Sequence, residues 1–335
     1  MQGSTAVRCA ISAAALLVAP APLWAQGPSD ASVAAHVAKA KQLAGDDLKA
    51  LLVLCQPAPS KRATQDEIDQ RLAREIARPA PPPGQAFDNL YYVGAAFVSA
   101  WAIKTSQGII LIDALNNNDE AAQLIDGGLR KLGLDPAEVK YVIVTHAHGD
   151  HYGGATHLVQ KYGTRVVMSE ADWKQTETKL EANSRLWGPV PKRDVTVKEG
   201  DKVTLGDTSV TIHITPGHTL GTITPAFDVT AGGKTHHVLL WGGTAFNFGN
   251  NIARLDTYAA GADRMAKLAK DRGIDVLISN HAGYDGAITK LEALRKQGSL
   301  DPNPFAIGTG AVVRGLDAMG ECARAQKDRF LMLQR

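Results

Sequence analysis

An apolar run, Tyr141 to Val144, leads straight into His146, His148, Asp150 and His151. No other stretch limits the fold as tightly. Four metal-competent side chains in H-x-H-x-D-H order require a strand that ends where other loops can meet it. In extended chain, residues two apart point to one side, so His146 and His148 can converge on one ion. Asp150 and His151 stand where strand gives way to helix, and turn toward a second point nearby. Imidazole with carboxylate suits zinc, with manganese or iron also open. A catalytic zinc takes three protein ligands and a water. Two ions therefore need about six protein ligands, and the cluster offers four.

Two distant histidines fill the gap. The stretch "TPGHTLGT", 215–222, puts His218 in a loop after the run "VTIHI". The stretch "ISNHAGYDG", 278–286, puts His281 just past "DVLIS". Sites assemble from loops at strand ends, so His218 is expected to complete His146 and His148, and His281 to complete Asp150 and His151. The remaining histidines, His36, His157, His213, His236 and His237, read as polar surface in loops.

Residues 26–78 read as helical and peripheral, with a Thr64 cap and Glu67 three places on. The stretch "RPAPPPGQ", 78–85, holds four prolines and reads as a linker. Beyond it, "NLYYVGAAFVSAWAIKT" and "GIILIDA" are short β-rich runs. A helical stretch follows over about 119–132, then the strand 141–145, a helix starting near His151, and the strand "RVVMS". Strands are expected at 194–198, 202–205, 208–214, 222–229 and 236–242. From about 256 the chain turns helical, broken by a strand at 275–279, and a long helix covers 308–330. Strands then helices occur twice, an α+β order that two packed sheets covered by helices would satisfy.

The 335 residues are 44% hydrophobic, enough for a full core in one large domain or one domain with an extension. A net charge of +2, with no basic stretch interleaved with aromatics, does not suggest nucleic acid. Residues 1–25 read as an export signal: Arg8, then the apolar "AISAAALLVAPA", then "LWA", with cleavage expected after Ala25. An uncleaved anchor is the competing reading. The expected destination is the periplasm, with no membrane attachment after cleavage. Of three cysteines, Cys9 leaves with the signal. Cys55 and Cys322 then form a bridge between extension and last helix, or stay as two buried thiols.

The motifs "THAHGDH", "PGHT" and "SNHAG" together resemble the metallo-β-lactamase superfamily over about residues 86–335, downstream of the extension and linker at 26–85. The resemblance implies an αβ/βα sandwich of two mixed β-sheets flanked by helices, with metals at one edge between the sheets. Lactamases, lactonases, thioester hydrolases and nucleases share the motif. Many members place an aspartate between the metals in a turn after a strand. Here that turn is "WGGTAFN", 241–247, with Gly243 and Thr244 at the matching place. Class B1 β-lactamases carry a cysteine there, and this chain does not. Subclass B3 enzymes use a hydroxyl residue, and the absent bridging acid with an exported chain resembles B3 best. "WGGTAFN" departs from the usual B3 "ADS" stretch, and the extension is long.

The resemblance implies two zinc ions per chain and a small-molecule substrate, a β-lactam opened by an activated water. Asp150 is the expected catalytic residue, orienting that water. Asp113, ending "GIILIDA", is expected to accept a hydrogen bond from a ligand imidazole, or to be an ordinary turn aspartate. Thr244, Asn247 and Tyr284, beside motif residues, are the substrate-contact candidates, and Trp187 stands in a loop that could cover the site. A lactone or thioester is the alternative substrate, and a zinc-binding protein without catalysis is a third reading. The oligomeric state is left open.

Overall fold

A computed structural model describes residues 27–335. The expected signal, its cleavage site and Cys9 lie outside the described residues. Two helices open the described chain. Helix α1, Asp30–Ala44, starts at a capping box between Ser29 and Ser32. Helix α2, Gln65–Ile76, starts at the box of Thr64 and Glu67, each satisfying the other's free amide. Between them runs a 3-10 helix, Lys49–Cys55.

Twelve strands follow among the described residues. The first seven are β1 Gly84–Phe87, β2 Leu90–Tyr92, β3 Trp101–Thr105, β4 Gly108–Ile112, β5 Val139–Ile143, β6 Arg165–Ser169 and β7 Val195–Val197. They form one sheet in chain order. Pairing is antiparallel from β1 to β4 and parallel from β4 to β7. The other five are β8 Lys202–Leu205, β9 Thr208–Ile214, β10 Ile223–Ala231, β11 Lys234–Trp241 and β12 Val276–Ser279. They make a second sheet, antiparallel except where β12 runs parallel to β11. Both sheets are mixed, as the resemblance implies.

The run "GIILI" in β4 lacks polar alternation because both of its faces are covered. Ile110 and Ile112 join Ile143, Ile212, Leu240 and Ile278 between the sheets. Ile109 and Leu111 face the helical layer with Leu129, Leu158 and Trp173. Truncating one such fully buried isoleucine to alanine costs about 2–5 kcal/mol. Behind the second sheet, Leu239 and Trp241 meet the helices Ile252–Arg272 and Thr309–Met332.

The extension is not peripheral. Ala40 and Ala44 of α1, with Leu51 and Leu54, belong to the same core as Leu255, Leu316 and Met319. A disulfide joins Cys55 to Cys322 on the last helix. The short apolar positions of α1 let it lie close on that helix, which spacing alone does not disclose. The linker reading of 78–85 also shortens, since β1 begins at Gly84. Among the described residues no helix is long and apolar enough to cross a membrane.

This architecture positions the site. The ends of β4, β5, β11 and β12 reach one edge of the sandwich, and Asp113, Thr145, Gly242 and Asn280 follow them there. The amide of Ile223 donates to Thr145 O at 2.9 Å, and Trp101 Nε1 donates to Ser279 O at 3.2 Å, lacing the sheets at that edge.

Candidate metal centre

Three ring nitrogens meet at this edge. His146 Nε2, His148 Nδ1 and His218 Nε2 lie 3.1 Å from one another. The far nitrogens fix the tautomers: His146 Nδ1 contacts Gly242 O and His218 Nδ1 contacts Ala245 O, each at 2.7 Å. A carbonyl only accepts, so both Nδ1 atoms carry the hydrogen and both Nε2 atoms present lone pairs. Lone pairs facing each other at this distance repel, and a shared cation removes the repulsion. Burial pushes His146 and His218 well below their ordinary range and His148 down to about 4. All three rings are therefore neutral at pH 7 and could serve as metal ligands.

The second group adjoins it. His151 Nδ1 donates to Asp113 Oδ2 at 2.7 Å, which leaves Nε2, buried without a hydrogen-bond partner, as the lone-pair nitrogen of the neutral ring. Asp150 Oδ2 lies 3.5 Å from that nitrogen and 3.8 Å from His281 Nε2. Burial alone would raise Asp150, yet His151, His281 and His148 outweigh it and hold the carboxyl at about 2. Burial lowers His281 to about 3. His151 moves the other way: Asp150 and Asp113 overcome its burial and raise it. This end of the site favours positive charge, which a cation supplies as well as a proton. Two groups of donor atoms lie mutually within 4.8 Å, His146 with His148 and His218, and His146 with Asp150 and His151. His281 stands at the rim of the second group.

The backbone around these donors is tightly constrained. Asp113 has φ 62° and Leu115 φ 63°, a conformation costly for leucine. It lets Ala114 N bond His151 O at 2.8 Å while Ala114 O accepts from Gly154 N at 3.1 Å. A Cβ at Gly153 would lie 1.8 Å from Asn116 O, which explains the glycines after His151. At Gly243 a Cβ would meet the Cβ of His218 at 2.6 Å. Gly243, in the turn where many superfamily members carry a bridging aspartate, is here pressed against His218, with no room for a Cβ unless the backbone shifts.

The metallo-β-lactamase superfamily model matches residues 93–229. The subclass B3 metallo-β-lactamase BJP-1 of Bradyrhizobium japonicum is 32% identical, with a TM-score of 0.65, over 76% of this chain and 97% of that one. The chain belongs to the metallo-β-lactamase superfamily. Its likeness to the metallo-β-lactamase of Cronobacter sakazakii has a TM-score of 0.64 at 25% identity, over 83% of this chain and 96% of that one. A hydroxyacylglutathione hydrolase of Rhodopseudomonas palustris (strain BisB5) is 38% identical over 109 residues, 32% of this chain and 36% of its own length. The chain spans 36–42% of the length of the first such hydrolases it matches.

The superfamily site takes partners from afar that spacing does not reveal. Asp172 accepts from Ala147 N, Thr219 Oγ1 and Gly221 N at 2.9–3.0 Å, joining the two histidine loops. Arg254, 4% exposed, donates to Gly217 O at 2.6 Å, to His218 O, and to Glu181 at 2.6 Å. Asn280 Nδ2 donates to Gly242 O at 2.7 Å and Thr145 Oγ1 at 2.9 Å. Of these, only Asn280 lies inside a motif legible in the sequence.

The cleft over the donors is lined by Phe97, Trp187, Phe248, Asn247 and Tyr284, and by Arg62, Ile68 and Arg71 from the extension. Trp187 packs on Gly149, where a Cβ would meet its ring at 2.2 Å. Thr244 does not reach the cleft: it is 1% exposed and its hydroxyl sits 3.3 Å from Ser279 Oγ. The close packing of Gly243 on His218 turns the next residue inward. The five remaining histidines are not in loops. They lie on helices or strands, each within 3.0 Å of a carboxylate: His36 with Glu321, His157 with Asp126, His213 with Glu199, His236 with Asp275 and His237 with Asp228.

Proposed function

We propose that the chain is a zinc-dependent hydrolase that opens a β-lactam ring, works with two zinc ions, and acts in the periplasm after export through residues 1–25. The observation that supports this reading is the turn at Gly243, whose packing on His218 leaves no room for the Cβ of a bridging aspartate at that position without a shift. His146, His148 and His218 would hold one ion, and Asp150, His151 and His281 the other. When bound, such ions supply a water able to attack at neutral pH and a Lewis acid for the carbonyl.

The chain's own residues do the rest. Asp150 is ionised at neutral pH, so its carboxylate can orient the attacking water by accepting a hydrogen bond from it. The carbonyls of Gly242 and Ala245 and the carboxylate of Asp113 keep the rings aimed. Phe97, Trp187 and Phe248 give apolar walls for the substituents of the ring. Asn247 and Tyr284 offer an amide and a phenol to its polar groups.

A second reading, cleavage of a thioester, is favoured by the 38% identity over 109 residues to a hydroxyacylglutathione hydrolase. The test compares a carbapenem, a cephalosporin and a hydroxyacylglutathione, each with and without a zinc chelator. Chelator-sensitive opening of the lactams is expected. Cleavage of the thioester with the lactams intact would replace the first reading by the second. Zinc retained with no substrate cleaved would leave a binding protein.

A further inference from the structure

Arg71 lies on α2, in the extension that precedes the matched region. It lines the cleft that contains His148, Asp150 and His281. Arg71 is exposed; an arginine on a helix can pair with an acid four residues away, and Arg71 has one on each side. Both are engaged elsewhere. Glu67 closes the capping box, accepting from Thr64 N at 2.8 Å. Glu75 pairs with Arg78 at 2.8 Å. The helix's other acids, Asp66 and Asp69, are bound by Arg185.

The other cationic groups of the cleft region are also committed. Arg62 bonds Phe248 O and pairs with Glu181 at 3.2 Å, and Arg254 takes the same Glu181. Among the described residues Arg71 has no ion-pair or side-chain hydrogen-bond partner. An unpaired guanidinium beside a hydrolytic centre offers a planar fork that matches a carboxylate.

We infer that Arg71 recognises a carboxylate on the substrate and sets how the scissile carbonyl enters the cleft. The extension thereby supplies a specificity residue. This rests on the reading of the cleft as hydrolytic and holds for a lactam or a thioester alike.

The test uses the zinc-loaded full chain and its Arg71→Gln and Arg71→Lys variants. The probes are a cephalosporin with its ring carboxylate free and the methyl ester of the same compound. Arg71→Gln should weaken the free acid about 5- to 20-fold, in KM rather than kcat, as for loss of a charge-assisted hydrogen bond. The ester should change much less, Arg71→Lys should restore part of the loss, and salt should narrow the acid–ester gap. If neither compound is hydrolysed, the β-lactam reading fails, and calorimetric Kd values for acid and ester then decide the role of Arg71. Equal losses for acid and ester, no loss for either, or no binding of the acid would overturn the inference.

Discussion

Asp113 accepts a hydrogen bond from His151 Nδ1 at 2.7 Å, and both side chains are almost wholly excluded from solvent. Its other oxygen accepts from Thr145 N at 2.7 Å. One carboxylate thus orients the ring of His151 and anchors the backbone next to His146. Asparagine tolerates the same positive φ, so Asp113→Asn tests the charge without disturbing the turn. It should weaken zinc at the Asp150–His151 group 10- to 100-fold, read by titration against a chromophoric chelator. Unchanged affinity would remove Asp113 from the account.

Arg254 holds the His218 loop from behind through Gly217 O and His218 O. Arg254→Ala leaves those carbonyls short of a donor and Glu181 with one cation fewer. Breaking a buried pair of this kind costs about 3–5 kcal/mol. Thermal unfolding should show that loss, and zinc should weaken at the His146–His148–His218 group. Native stability in the variant would contradict the role.

Gly243→Ala puts a methyl 2.6 Å from the His218 Cβ and 2.9 Å from Thr222 Cγ2. Neither neighbour is the free end of a flexible chain, so the loop must move. Reduced zinc affinity and a lower unfolding temperature are expected. A variant matching the parent in both would show that the turn can accept a side chain.

Glu321 ties the last helix to α1. Burial would raise its carboxyl, but hydrogen bonds from His36 and Lys39, then the charges of Lys39 and Arg324, hold it at about 2 against an ordinary value of 4.5. A depressed acid stabilises the fold above the unfolded-state pKa and loses that contribution as pH falls through the folded-state pKa. The loss should run from about pH 4.5 down to about 2 and amount to at most about 3 kcal/mol. Glu321→Gln should flatten that part of the stability profile measured by denaturant unfolding. An unaltered acid profile in the variant would place the sensitivity elsewhere.

The clustering of His146, His148, Asp150 and His151 was legible because its geometry is local. His146 and His148 share a side of extended chain, and Asp150 and His151 follow at the turn into helix. The two distant histidines could be found because each follows an apolar strand. Asp172 and Arg254 could not, because each meets the site through contacts 25 to 49 residues away in sequence. Arg71 lay in a segment whose amphipathic pattern predicts a helix but not its neighbour. Contacts distant in sequence, such as those of Asp69 with Ser184 and Arg185, place α2 over the candidate metal centre. Thr244 was misplaced for the opposite reason: proximity in sequence to a motif does not say which way a side chain turns.

We propose that two groups of side chains at one sheet edge each hold a catalytic zinc. The most direct test is zinc per chain, counted by native mass spectrometry during titration, with carbapenem hydrolysis followed in the same samples. The account predicts two equivalents and full activity in the parent. His148→Ala should keep at most one equivalent and lose hydrolysis. Two equivalents with full turnover in His148→Ala, or turnover in a chain stripped of metal, would contradict it.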